Sequence, residues 1–96
     1  MSDLNSIKQI LSQLKPELTD KYHVSSIGLF GSIVRDDFNS NSDIDIIVDF
    51  SKPIGIEFID LAEFIERKLK KSVDLVSKNA VKQKYFRTFE SEIIYV

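Results

Sequence analysis

Apolar residues recur at helical spacing in three segments of the chain, and each segment predicts an amphipathic helix. The first predicted helix runs from about residue 4 to about residue 21, and Pro16 either interrupts it or begins another turn. The second ends at Lys70 and Lys71, whose charges suit the C-terminal end of a helix dipole. The third is followed by a predicted short strand at residues 94–96. In chain order, the apolar positions are Leu4, Ile7, Ile10, Leu11 and Leu14, then Phe58, Leu61, Ala62, Ile65 and Leu69, then Val81, Tyr85, Phe89 and Ile93.

Three further apolar runs predict β-strands at Val24–Phe30, at about Ile44–Phe50 and at Ser72–Ser77. The middle strand has one wholly apolar face, whereas its other face is mixed and includes Asp45. Between the first two strands, we expect one helical turn at residues 33–35 and a loop rich in Asp, Asn and Ser at residues 36–42. The pattern as a whole predicts the α/β class, with a small sheet packed with helices.

The length and composition bound the protein further. Ninety-six residues predict a single domain over residues 1–96, and 43% apolar with 29% charged residues is ordinary for a globular protein. The chain has no cysteine, which excludes disulfides and thiolate metal sites. We find neither an apolar run long enough to span a membrane nor a signal pattern at the N-terminus, so a soluble cytoplasmic protein is expected.

Charge is distributed unevenly along the chain. Residues 1–60 have 5 basic and 10 acidic side chains, a balance of −5, whereas residues 61–96 have 8 basic and 5 acidic side chains, a balance of +3. The acidic part fits a site for a divalent cation. The basic part fits either contact with phosphates or an acidic partner, or an ordinary solvated helix face.

Asp43 and Asp45 are the most informative acidic residues in the sequence. They are two positions apart at the start of the second strand, so their side chains should point to the same face. Two neighbouring carboxylates repel each other unless one keeps its proton or a cation neutralises them, which predicts a metal site. A calcium loop beginning at Asp37 is the rival interpretation. It fails because Ser42 replaces the required glycine and Val48 replaces the required glutamate.

A glycine–serine pair precedes these acids by a fixed interval. Gly31 and Ser32 are followed by ten residues and then by Asp43-Ile44-Asp45. This arrangement resembles the signature of the DNA polymerase β-like nucleotidyltransferases. More narrowly, the chain resembles the minimal nucleotidyltransferases, which are the antitoxin partners of HEPN-domain RNase toxins. The resemblance implies the nucleotidyltransferase fold with a small mixed β-sheet. One departure is Asp36, which stands after Arg35 where family members often have glycine.

The resemblance also implies roles for particular residues. Asp43 and Asp45 would hold Mg²⁺, with two ions expected, and Asp74 would complete the metal site and help to take the proton of the attacking hydroxyl. Gly31 and Ser32 would contact the triphosphate of the nucleotide.

The role of Arg35 is open at this point. Its side chain would either bind a phosphate through its forked donors or form a surface salt bridge with Asp36, Asp37 or Asp49.

The implied reaction is transfer of AMP from ATP to a hydroxyl, often that of a tyrosine on the cognate HEPN toxin, whose RNase activity is thereby silenced. The alternative is a catalytically silent module that neutralises the toxin by occlusion. Direct binding of nucleic acid stays open. Tyr85, Phe86 and Phe89 are most simply core or interface aromatics, and base stacking is their other possible role.

Overall fold

The computed structural model describes residues 3–35 and 42–96. Asp36 and Asp37, and the predicted loop apart from Ser42, therefore lie outside the described residues. Within those two ranges, no helix combines the length and hydropathy that crossing a bilayer requires. The helices and strands are, in chain order, α1 (Asp3–Tyr22), β1 (Val24–Phe30), α2 (Ser32–Arg35), β2 (Ile44–Phe50), α3 (Glu57–Leu69), β3 (Val73–Ser77), α4 (Gln83–Phe89) and β4 (Ile94–Tyr95), with single 3-10 turns at Lys78–Ala80 and Glu90–Glu92.

The four strands form one mixed sheet in the order β3-β2-β1-β4. Strand β1 is antiparallel to both β2 and β4, whereas β2 and β3 are parallel. As a consequence, the N-terminal ends of β2 and β3 and the C-terminal end of β1 lie at the same end of the sheet. The α/β class and the small mixed sheet predicted from the sequence are confirmed.

Helices α1 and α3 contribute the core that covers one face of the sheet. Ile44, Ile46 and Val48 of β2 point into this core and are almost fully buried. Helix α1 runs through Pro16 without a break, so of the two alternatives at Pro16 the interruption does not occur, and the helix extends to Tyr22. The reason is tertiary packing, because Leu11 and Leu18 on either side of the proline are fully buried and hold both halves of the helix against the core.

The other face of the sheet is also partly covered. Ile47 alternates with the core residues of β2 and so lies on this second face, yet only 2% of its surface is exposed. Its register neighbour in β1 is Gly28. A Cβ built on Gly28 would lie 2.6 Å from Ile93 Cγ2, so the C-terminal segment packs directly against the backbone here. The mixed pattern of β2 therefore reflects two covered faces.

The predicted final helix is wrong in extent. Helix α4 spans only Gln83–Phe89, so Val81 and Ile93 lie outside it, and none of its residues is buried. The regular spacing of four misled the prediction because the chain after the helix joins the edge of the sheet. There, Val96 N–H donates to Ile27 C=O at 2.9 Å. The short strand predicted at residues 94–96 is confirmed at residues 94–95.

Candidate active site

The aspartates predicted to form the site come together on the second face of the sheet. In the strand register, Asp45 is opposite Phe30 in β1 and opposite Asp74 in β3, and residues opposite each other share a face. Asp43 is two residues before Asp45, immediately before β2 begins. Asp43 and Asp74 are exposed to solvent, whereas Asp45 is partly buried. Two separate strands thus bring three carboxylates to the same end of the sheet.

The charges of the neighbouring carboxylates contribute to the pKa of Asp45. The pKa of Asp45 is raised from 3.8 to about 6, first by burial, then by the negative charges of Asp74 and Asp43. The positive charge of Arg35 acts in the opposite direction, and the carboxylate of Glu92 adds to the increase. A cluster of this kind favours either a bound proton or a cation.

Gly31 forms the turn that connects β1 to α2, and only glycine fits there. Its φ angle is +77°, a left-handed conformation that side chains disfavour. In addition, a Cβ at this position would overlap with Oδ2 of Asp45. The carbonyl of Gly31 accepts hydrogen bonds from the N–H groups of Val34 at 3.0 Å and Arg35 at 3.1 Å, which starts α2. The turn and the acid of the next strand are therefore packed against each other.

The structure pairs Arg35 with a residue that sequence reasoning missed. Arg35 Nη1 lies 3.3 Å from Glu92 Oε1, and the same oxygen accepts the backbone N–H of Gly31 at 3.2 Å. Of the partners considered from the sequence, Asp36 and Asp37 lie outside the described residues, and Asp49 Oδ1 accepts the N–H of Phe50. No local pattern signals a contact across 57 residues.

The acidic residues at this end of the sheet form an incomplete set of ligands for a metal ion. Among the described residues, no group of three His, Cys, Asp or Glu side chains is arranged so that it could hold a metal ion by itself. Nevertheless, Asp45 and Asp74 share one face, and after burial the charges of Asp74 and Asp43 raise the pKa of Asp45. Magnesium is usually held by one or two carboxylates together with substrate phosphates rather than by a complete protein cage. The residues therefore fit a magnesium site that a nucleotide completes.

A groove of about 720 Å³ lies elsewhere on the molecule. It is next to the C-terminal ends of β2 and β3, whereas Asp45 and Asp74 lie near the N-terminal ends of these strands. The groove is therefore separate from the acidic site. Its lining residues are Phe50, Ser51, Lys52, Pro53, Ile54, Phe58, Leu75, Val76, Ser77, Asn79, Ala80 and Val81.

Comparison with known proteins identifies the family. The sequence profile described as "Nucleotidyltransferase domain" matches residues 6–96, which is almost the whole chain. The chain belongs to this nucleotidyltransferase family. The assignment made from Gly31-Ser32 and Asp43-Ile44-Asp45 is thereby confirmed.

Individual relatives of this nucleotidyltransferase agree. The protein adenylyltransferase MntA of Thermococcus cleftensis is 41% identical over 97 residues, which cover 100% of this chain and 98% of the relative. A solved structure proposed to be a minimal nucleotidyltransferase superimposes with a TM-score of 0.75 at 21% identity, covering 98% of this chain and 95% of that chain.

A second solved structure, of a toxin–antitoxin with AMP-PNP, has a TM-score of 0.62 at 28% identity and covers 86% of this chain and 63% of that chain. The predicted nucleotidyltransferase fold is confirmed.

Proposed function

We propose that this nucleotidyltransferase transfers AMP from ATP to a hydroxyl group of a cognate HEPN-domain RNase toxin, in a magnesium-dependent reaction that silences the toxin. The acceptor we propose is a tyrosine. The observation that carries the proposal is the pairing of Asp45 with Asp74 in the strand register, next to the Gly31 turn, with Asp43 close enough to raise the pKa of Asp45.

In this proposal, Asp43 and Asp45 hold magnesium, with Asp74 completing the set for the second of two expected ions. When bound, magnesium neutralises negative charge on the phosphate oxygens and lowers the cost of charge that develops during transfer. The open position of Asp43 and Asp74 supports this role, because their exposed carboxylates remain accessible to a nucleotide and to the side chain of another macromolecule.

The remaining steps involve protein groups and substrate. The acceptor oxygen forms a bond to the α-phosphorus of ATP, the bond from that phosphorus to the bridging oxygen breaks, and pyrophosphate leaves. Asp74 takes the proton of the acceptor hydroxyl. Its carboxylate is exposed, so the acceptor can reach it. The phosphates are bound by Gly31, Ser32 and Arg35. The guanidinium of Arg35 offers several donors in a fork that matches phosphate oxygens.

The partner is proposed from the relatives. One is named a protein adenylyltransferase, and one solved relative is a toxin–antitoxin with AMP-PNP. The exposed carboxylates of Asp43 and Asp74 leave the site open to a side chain of another protein. We therefore expect the partner itself to present its acceptor hydroxyl to the three aspartates.

The direct test uses the chain, the product of the neighbouring gene, magnesium and ATP labelled on the α-phosphate. We expect label on a tyrosine of the product, with loss of its RNase activity. The matched reaction contains the Asp43→Asn variant, which should leave the product unlabelled and active. If the product stays unlabelled with the wild-type chain but is still neutralised by Asp43→Asn in cells, occlusion replaces the catalytic proposal.

The incomplete ligand set predicts that magnesium and nucleotide bind together. Magnesium alone should shift the melting temperature little, because three carboxylates do not close around an ion. Magnesium with α,β-methylene ATP, which lacks the cleavable bridging oxygen, should stabilise the chain by about 2.7 kcal/mol at 100 times its dissociation constant. Thermal unfolding with each ligand alone and with both measures this synergy. A full shift with magnesium alone would contradict a site that the nucleotide completes.

A further inference from the structure

One oxygen of Glu92 connects the C-terminal segment to the active-site turn. Oε1 accepts the N–H of Gly31 at 3.2 Å and lies 3.3 Å from Nη1 of Arg35. One donor, Gly31, immediately precedes the four-residue helix α2, and the other, Arg35, is its last residue. Glu92 thus fixes the guanidinium relative to the backbone of the turn.

Helix α2 by itself does not fix the side chain of Arg35. An isolated helix of four residues has no stability in water, because its single turn does not offset the cost of nucleation. Arg35 is the last residue of α2, and its side chain is 55% exposed, so burial does not hold it in one conformation. The contact from Glu92, in a distant segment, adds a constraint on its guanidinium.

Glu92 is itself well anchored on both sides. Before it, the ring of Phe89 stacks on Phe30 with centroids 4.5 Å apart. After it, Ile94 pairs with Leu29 of β1, and Val96 N–H donates to Ile27 C=O. Because both flanks are attached to β1, the position of the Glu92 carboxylate is defined by the sheet rather than by a loose terminus.

Glu92 contacts Arg35 through one terminal nitrogen of the guanidinium. A guanidinium has five N–H donors, and the contact with Glu92 involves only Nη1. A carboxylate on one side of an arginine orients the planar group, so that its remaining donors face a defined direction. In the site described above, that direction would determine how the guanidinium meets the phosphates.

We infer that Glu92 is a positioning residue, which orders the Arg35 guanidinium and the Gly31 turn for binding of the nucleotide phosphates. This role rests on the proposed function in that ATP is the substrate. Glu92 acts through Arg35 and is not itself a catalytic residue. The alternative is that the Glu92 carboxylate occupies the position of a phosphate. In that case Glu92 would weaken nucleotide binding, and its removal would strengthen it.

The first test measures the affinity for α,β-methylene ATP with magnesium by calorimetry. We expect Glu92→Ala to raise the dissociation constant about tenfold. Loss of a residue that orients a metal-binding side chain has an effect of similar size. Glu92→Gln keeps an acceptor oxygen and should give a smaller increase. Glu90→Ala, on the same 3-10 turn, is the matched control and should leave the affinity unchanged. Tighter binding by Glu92→Ala would overturn the inference.

A double-mutant cycle identifies the route of the effect. If Glu92 acts through Arg35, then Glu92→Ala should cause little further loss in the Arg35→Ala background, because the group that it orders is gone. An equal loss in both backgrounds would mean that Glu92 acts independently, which would also overturn the inference.

A third measurement separates this inference from the proposed function. In the nucleotide-free protein, ¹H–¹⁵N spectra should show that Glu92→Ala shifts the Gly31 amide and increases the motion of the Arg35 side chain, while Glu90→Ala does neither. If wild-type protein failed to bind ATP, the proposed function would fail, whereas the ordering of Arg35 would still be decided by these spectra. An unchanged Gly31 amide and an equally mobile Arg35 in both proteins would overturn it.

Discussion

Asp45→Asn should reduce adenylyl transfer by at least about 100-fold, because even changes to residues that support metal ligands cost about 10- to 100-fold. Asp45 is the central acid of the site, with Asp74 opposite it in β3 and the Gly31 turn against its side chain. Asparagine keeps the shape of the side chain but loses the charge that a cation requires. Labelled transfer to the partner measures this loss.

The same substitution should make the ligand-free protein more stable above pH 7. Burial, Asp74 and Asp43 raise the pKa of Asp45 to about 6, so the folded state holds this proton more tightly than the unfolded state does. Wild-type stability should therefore fall as the pH rises from about 4 to about 6 and stay low above that. After allowance for the partial exposure of Asp45, we expect Asp45→Asn to gain about 1 kcal/mol, or about 4–8 °C in melting temperature.

Thermal unfolding of both proteins from pH 4 to pH 8 measures this gain, and Asp49→Asn is the control. Asp49 is on the same strand, but four residues beyond Asp45 and away from the acidic cluster. Asp49→Asn should change neither the rate of transfer nor the dependence of the melting temperature on pH. An active Asp45→Asn variant would exclude the proposed metal site, and a variant less stable than wild type at every pH would contradict the repulsion between the carboxylates.

Gly31→Ala should lower both stability and activity. The φ angle of +77° costs a residue with a Cβ about 1–2 kcal/mol. The new methyl group would also overlap with Asp45 Oδ2 and lie 3.0 Å from its Cγ, so the carboxylate has to move. A displaced Asp45 no longer faces Asp74, and we expect transfer to fall by about 100-fold or more.

Denaturant unfolding in two backgrounds separates the two causes of the loss in stability. In an Asp45→Ala background, the carboxylate is absent, so Gly31→Ala should cost only the backbone strain. Gly55→Ala is the matched control, because a Cβ on Gly55 has no atom within 4 Å. If Gly31→Ala cost as much without the Asp45 carboxylate as with it, the packing of the turn against Asp45 would not explain the need for glycine.

Together these predictions describe a site that is assembled at the expense of stability. Burial, Asp74 and Asp43 raise the pKa of Asp45 against the opposing charge of Arg35, and glycine at position 31 provides room for the Asp45 carboxylate. Such repulsion persists in a folded protein only when the surrounding structure holds the groups in place. Here, the strand register holds Asp45 and Asp74 opposite each other, and a nucleotide with magnesium would relieve the strain.

The sequence by itself determined the strands and the part of the site that they carry. Alternation in Ile44–Phe50 predicted which residues of β2 enter the main core, and the two-residue spacing of Asp43 and Asp45 predicted their common face. These features are local, because strand geometry relates residues that are two positions apart.

Only the tertiary structure decided the environment of these residues. The contact of Glu92 with Arg35 and the end of α4 at Phe89 depend on packing between distant segments. Helical spacing could not indicate them, because periodicity reports which side of an element is apolar and not which segment covers it. The pairing of β4 with β1 brings Glu92 to the turn of the active site.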